Sequence, residues 1–102
     1  MHGSGLTHIV WSLHETFLAA KGYSVLSVDL PGHGNSEGPA VKSIEDIAEW
    51  IKKLMEQLKV NEISFIGHSQ GCLVGLEFLH THLDTLQLDL QYETIHLSLI
   101  CL

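Results

Sequence analysis

Gly67-His68-Ser69-Gln70-Gly71 is the stretch of this chain whose residue types and spacing are suited to chemistry. A serine with glycine two positions to either side fits a sharp turn from strand to helix, where larger flanking residues would collide with neighbouring backbone. Such a turn lifts the serine Oγ clear of the sheet. A serine hydroxyl is a poor nucleophile until a base takes its proton; once activated, it attacks an ester-like carbonyl. The oxyanion formed in that step needs donors held about 3 Å away. Ser69 is therefore the candidate nucleophile. A helix opening near Gln70 would direct its positive end at the developing charge.

The elements that must hold this turn flank it directly. Upstream, 62–66 contains Ile63, Phe65 and Ile66 and reads as a strand. Downstream, Cys72-Leu73-Val74 opens an apolar helix expected over about 70–80. The clearest helix in the chain is 43–58, where Ile44, Ile47, Ala48, Ile51, Leu54, Met55 and Leu58 recur at helical period. Ser43 is its expected N-cap, with Glu45 and Asp46 in the first turn. Earlier still, Ile9, Val10, Leu13, Phe17 and Leu18 follow helical spacing up to Gly22. The segment 24–29 reads as a buried strand, and 30–38 as a loop crowded with Pro31, Gly32, Gly34 and Gly38. Alternating helices and strands predict the α/β class, with a parallel sheet covered by helices on both faces.

Residues 81–102 differ in character: leucine-rich, without lysine, glycine or proline. Polar and apolar residues alternate over 86–91 and 94–102, which predicts strands there. The expected organisation is one unit over 1–80 followed by this atypical tail, with no second domain. No repeat or low-complexity linker breaks the chain.

Composition narrows the partners. The 102 residues are 45% hydrophobic, enough for one small domain with a thin core. A formal charge of −7, with five lysines and no arginine, argues against nucleic acid and anionic membrane as partners. Cys72 and Cys101 match no metal or redox spacing, and no metal or organic cofactor is implied. Neither a secretory leader nor a membrane-length apolar run is visible, so a cytoplasmic setting is expected.

Three motifs taken in order give the chain a resemblance. His2-Gly3-Ser4-Gly5, then Asp29-Leu30-Pro31-Gly32-His33-Gly34-Asn35-Ser36, then the Ser69 pentapeptide resemble the signature loops of the α/β-hydrolase superfamily over about 1–78. The resemblance implies a partial α/β-hydrolase fold, truncated before the later strands. It also implies a serine hydrolase that acts on an ester-like or other acyl small molecule through an acyl-enzyme. By the same resemblance, Ser69 is the nucleophile in its elbow, and the backbone N–H groups of Gln70 and Ser4 form the oxyanion hole. His2, Gly3, Asp29, His33 and His68 support the loops, Asp29 by tying down the turn that follows it. No residue matches the family's catalytic acid or base.

Other readings stay open. The fold is compatible with a non-catalytic remnant or interaction module, and the scaffold also hosts acyltransferases, thioesterases and cofactor-free haloperoxidases. Unpaired sheet edges predict a complementing chain or self-association. Trp11 and Trp50 read as packing residues, and His8, His14 and His96 as surface or satisfied core positions. His80 and His82 do not share a helical face and make a poor metal pair.

Overall fold

The computed structural model describes residues 1–60, 62–88 and 97–102. A 3₁₀ turn at His8–Trp11 leads into α1 (Ser12–Ala20). Then come α2 (Ile44–Leu58), β1 (Ile63–Gly67), α3 (Gln70–Leu88) and β2 (Leu97–Cys101). The two strands pair in parallel, with Ile63 opposite Leu97 and Gly67 opposite Cys101. The connection between them runs through α3, as a parallel pair requires. Helix α3 packs on both strands, and α2 packs on α3.

Helix α2 forms where its sequence signals lie. The Ser43 hydroxyl accepts the Asp46 N–H at 3.1 Å, satisfying one of the orphan donors of the first turn. At the other end Lys59 takes a left-handed conformation, φ 54°, which closes the helix. Ile47, Ala48, Ile51 and Met55 turn inward and meet Leu30, Phe65, Val74 and Phe78 in a single core. The rings of Phe65 and Phe78 stack with centroids 6.5 Å apart, so this contact joins strand to helix. Ile44 packs against the cluster, but Leu58, at the end of the expected stripe, is 49% exposed.

Two expectations need correction. The segment 24–29 is not a strand. One edge of β1 is taken by β2. On the other, the Met1 amine donates to Ile66 O at 2.6 Å and the His68 N–H donates to Met1 O at 3.1 Å. Those two bonds make one rung of a parallel ladder at the end of β1; 24–29 does not lie in the ladder, and among the described residues no strand is paired with it. Residues 86–88 belong to α3 rather than to a strand, and the helix passes through position 80 without a break. Here continuing the i→i−4 ladder outweighs a short alternating pattern. Of the expected strand over 94–102, β2 supplies Leu97–Cys101; residues 89–91 and 94–96 lie outside the described residues.

The first helix forms where its spacing predicts, but its apolar residues are not part of the core. Leu13 is 84% exposed, and Ile9 and Phe17 are similarly bare. Among the described elements α1 touches only the 3₁₀ turn before it. Trp11 alone in this region is buried, with its ring edge-on to His14. No helix among the described residues is long and apolar enough to cross a membrane.

Candidate functional site

Ser69 sits between the last residue of β1 and the first of α3 with φ 54°. That left-handed conformation is uncommon for a residue with a Cβ, and a serine held there stores strain of order 1–2 kcal/mol. Three glycines allow it. A Cβ at Gly67 would lie 2.6–2.7 Å from the backbone of Gly71 and Cys72, so only glycine lets the helix begin so close to the strand. A Cβ at Gly71 would strike the Met1 carbonyl, and one at Gly3 would crowd His68 and the Ser69 Cβ at 3.2 Å. The turn is closed by Gly71 N–H to His68 O and Cys72 N–H to Ser69 O, both 2.9 Å. Ser69 is left exposed, and its hydroxyl makes no hydrogen bond among the described residues.

Beside it is a small open cavity of about 130 Å³. Ser4 and Gln70 both line it, together with Leu30, Pro31, His33, Val41 and Ile47. The loop of Gly3 and Ser4 reaches this position because Gly3 packs directly on the elbow. Among the described residues neither the Ser4 N–H nor the Gln70 N–H donates to a protein acceptor. Two of the cavity's lining residues therefore carry uncommitted backbone donors, and Ser69, exposed, directly precedes one of them in the chain.

A family profile described as the alpha/beta hydrolase fold matches residues 3–87. This chain belongs to the alpha/beta hydrolase fold family. The match continues past residue 78, where the resemblance read from the sequence ends, to near the end of α3. Protein ABHD14A of Danio rerio is 34% identical over 80% of this chain and 32% of its own length. (E)-2-((N-methylformamido)methylene)succinate hydrolase of Acinetobacter baylyi is 31% identical over 72% of this chain and 28% of its own. Haloalkane dehalogenase of Psychrobacter cryohalolentis is 31% identical over 78% and 27%. The chain thus spans about a third or less of the length of these relatives. No solved structure matches.

Within this hydrolase-fold chain, the histidines are sorted by their partners. His2 is fully buried, with Nε2 accepting the Leu30 N–H at 3.1 Å. Its Nδ1 must then carry the proton and donate to Gly3 O at 2.8 Å, so both ring nitrogens are engaged and neither is free to act as a base. This ring joins the Gly3–Ser4 loop to the loop that begins at Leu30. His33 donates from Nδ1 to Pro31 O at 3.1 Å, while its ring packs at a tilt on His2 with centroids 5.4 Å apart. His68 is exposed on the elbow, close to Gly3. Among the described residues no cluster of histidine, cysteine, aspartate and glutamate is arranged to hold a metal.

Asp29 organises the loop on the far side of His2. Its carboxylate accepts the Asn35 N–H at 2.9 Å and the His8 N–H at 2.7 Å, and the His8 ring donates from Nδ1 at 2.9 Å. The Ser36 hydroxyl adds a bond to Asp29 O at 2.6 Å. A Cβ at Gly34 would run into the same carboxylate, so the loop wraps it tightly. His8 is the residue that sequence reasoning missed as a specific partner. Its contact spans 21 positions, and no local pattern announces it.

These donors, led by the Asn35 and His8 N–H groups, hold the Asp29 carboxyl at about 2, below its ordinary value of 3.8. A depressed acid stabilises the fold above its unfolded value, and that contribution is lost as pH falls through the folded one. Stability is therefore expected to drop between about pH 4 and pH 2. The drop should be smaller in Asp29→Asn, with urea midpoints at stepped pH as the measurement. Equal pH slopes in the two proteins would remove Asp29 as the cause.

Proposed function

We propose that this chain carries the nucleophile and the oxyanion-binding side of a serine hydrolase acting on a small ester-like or other acyl substrate. The observation that carries the reading is Ser69 at φ 54°, exposed between β1 and α3 beside a cavity lined by Ser4 and Gln70. In this reading Ser69 Oγ attacks the acyl carbonyl and its proton passes to a general base. The Ser4 and Gln70 N–H groups take the negative charge that develops on the carbonyl oxygen. The leaving alcohol takes a proton as the acyl-enzyme forms, and water then releases the acid.

The acid and base of the reaction are assigned to a complementing segment rather than to residues of this chain. The rings of His2, His8 and His33 have partners other than Ser69, which supports that assignment. A fluorophosphonate probe tests the reading. It is expected to phosphonylate Ser69 in the folded chain, faster once the C-terminal part of a family member is added. Folded protein that stays unlabelled at Ser69 under both conditions would sink it.

A second reading, a binding module that keeps the fold without the reaction, is favoured by the bare apolar residues Ile9, Leu13 and Phe17. It predicts no labelling under either condition. It also predicts loss of partner capture when Leu13 and Phe17 are replaced by serine.

A further inference from the structure

Cys72 and Cys101 play no part in acyl transfer, yet the fold brings them together. Cys72 lies in the first turn of α3, three positions after Ser69, and its thiol donates to Gly67 O at 3.2 Å. Cys101 ends β2 directly opposite Gly67 in the parallel register. The Leu102 N–H donates to the same Gly67 oxygen at 3.0 Å, which fixes the end of β2 at this point.

The direction of the Cys101 side chain follows from the pleat. Residues in register on neighbouring strands project to the same face of a sheet. At Gly67 that face is identified by what a Cβ would meet there, namely the backbone of Gly71 and Cys72. Cys101 therefore leaves β2 on the side covered by the first turn of α3, where Cys72 stands. In agreement, a hydrogen bond with the Cys72 thiol pushes the Cys101 thiol above its ordinary value.

We propose that Cys72 and Cys101 form a reversible disulfide that staples the end of β2 to the first turn of α3, immediately behind the Ser69 elbow. The oxidant is a small disulfide of the glutathione class. Cys101 is exposed and Cys72 half-buried, so Cys101 meets the oxidant first. Its thiolate attacks one sulfur of the small disulfide; that S–S bond breaks and one small thiol leaves. The Cys72 thiolate then attacks the Cys101 sulfur and expels the second small thiol. Two protein thiols lose two protons and two electrons, and the small disulfide gains them as two thiols.

The experiment equilibrates the full chain with mixtures of reduced and oxidised glutathione, then alkylates it and reads intact mass and peptides. The expected product has lost two hydrogens, carries no glutathione, yields one peptide pair linked through Cys72 and Cys101, and remains a monomer. In Cys72→Ser the hydroxyl keeps a donor for Gly67 O. That variant should instead accumulate glutathione on Cys101, because nothing is left to expel it. Glutathione retained on both cysteines of the unaltered chain would overturn the proposal. So would disulfides found only between chains, or two free thiols under the most oxidising mixture.

Discussion

Ser69→Ala is expected to abolish fluorophosphonate capture while leaving the fold as stable as before, and Ser69→Gly is expected to abolish it while making the fold no weaker. The two variants separate chemistry from strain. Alanine keeps a Cβ at φ 54°, so it bears the same left-handed penalty as serine but has no hydroxyl. Glycine relieves a penalty of order 1–2 kcal/mol and loses part of that gain to the entropy of a freer unfolded chain. The net expectation for Ser69→Gly is a gain of up to about 1 kcal/mol in urea unfolding. A clear loss of stability in Ser69→Gly would mean that the elbow is not strained. Residual specific labelling in Ser69→Ala would place the nucleophile elsewhere.

Phe78→Ala should be the most damaging single truncation in the core. Phe78 is 1% exposed and stacks on Phe65, so its ring joins α3 to β1 at the centre of the hydrophobic cluster. Removing a buried phenylalanine side chain costs about 3–5 kcal/mol through lost transfer energy and the cavity left behind. Small domains have about 5–15 kcal/mol in total, and one built on two strands has little to spare. The variant is expected to unfold at much lower urea with little native baseline, whereas Phe78→Leu should cost under about 2 kcal/mol. Equal midpoints for Phe78→Ala and the unaltered chain would show that this contact does not support the fold.

What the sequence disclosed depended on whether the signal was local. Helix α2 was readable because its cap, first-turn acids and apolar stripe all lie within its own sixteen positions, 43–58. The elbow was readable because strand, glycines and helix are consecutive. The reading over 24–29 failed for a physical reason: composition reports that a segment is apolar, but a strand exists only when a second backbone offers donors and acceptors beside it. The first helix shows the same limit in packing. The spacing of Ile9, Leu13 and Phe17 correctly marked a helix, but periodicity cannot supply the layer that would cover it. In the candidate site, Ser4, Ser69 and Gln70 stood out by motif, whereas His8 on Asp29 needed the fold to bring together residues 21 positions apart.

The rung formed by Met1 has a practical consequence for handling the protein. Burial holds its amine at about 6, below the ordinary 8.0, so at neutral pH the group that donates to Ile66 O is largely uncharged. An amide nitrogen in its place would make the same bond without removing a charge from water. Residues joined ahead of Met1 would be aimed along the open edge of β1 beside Ile63–Phe65, ready to add a strand. A purification handle fused there would become part of the sheet it was meant only to carry, so the handle belongs after Leu102.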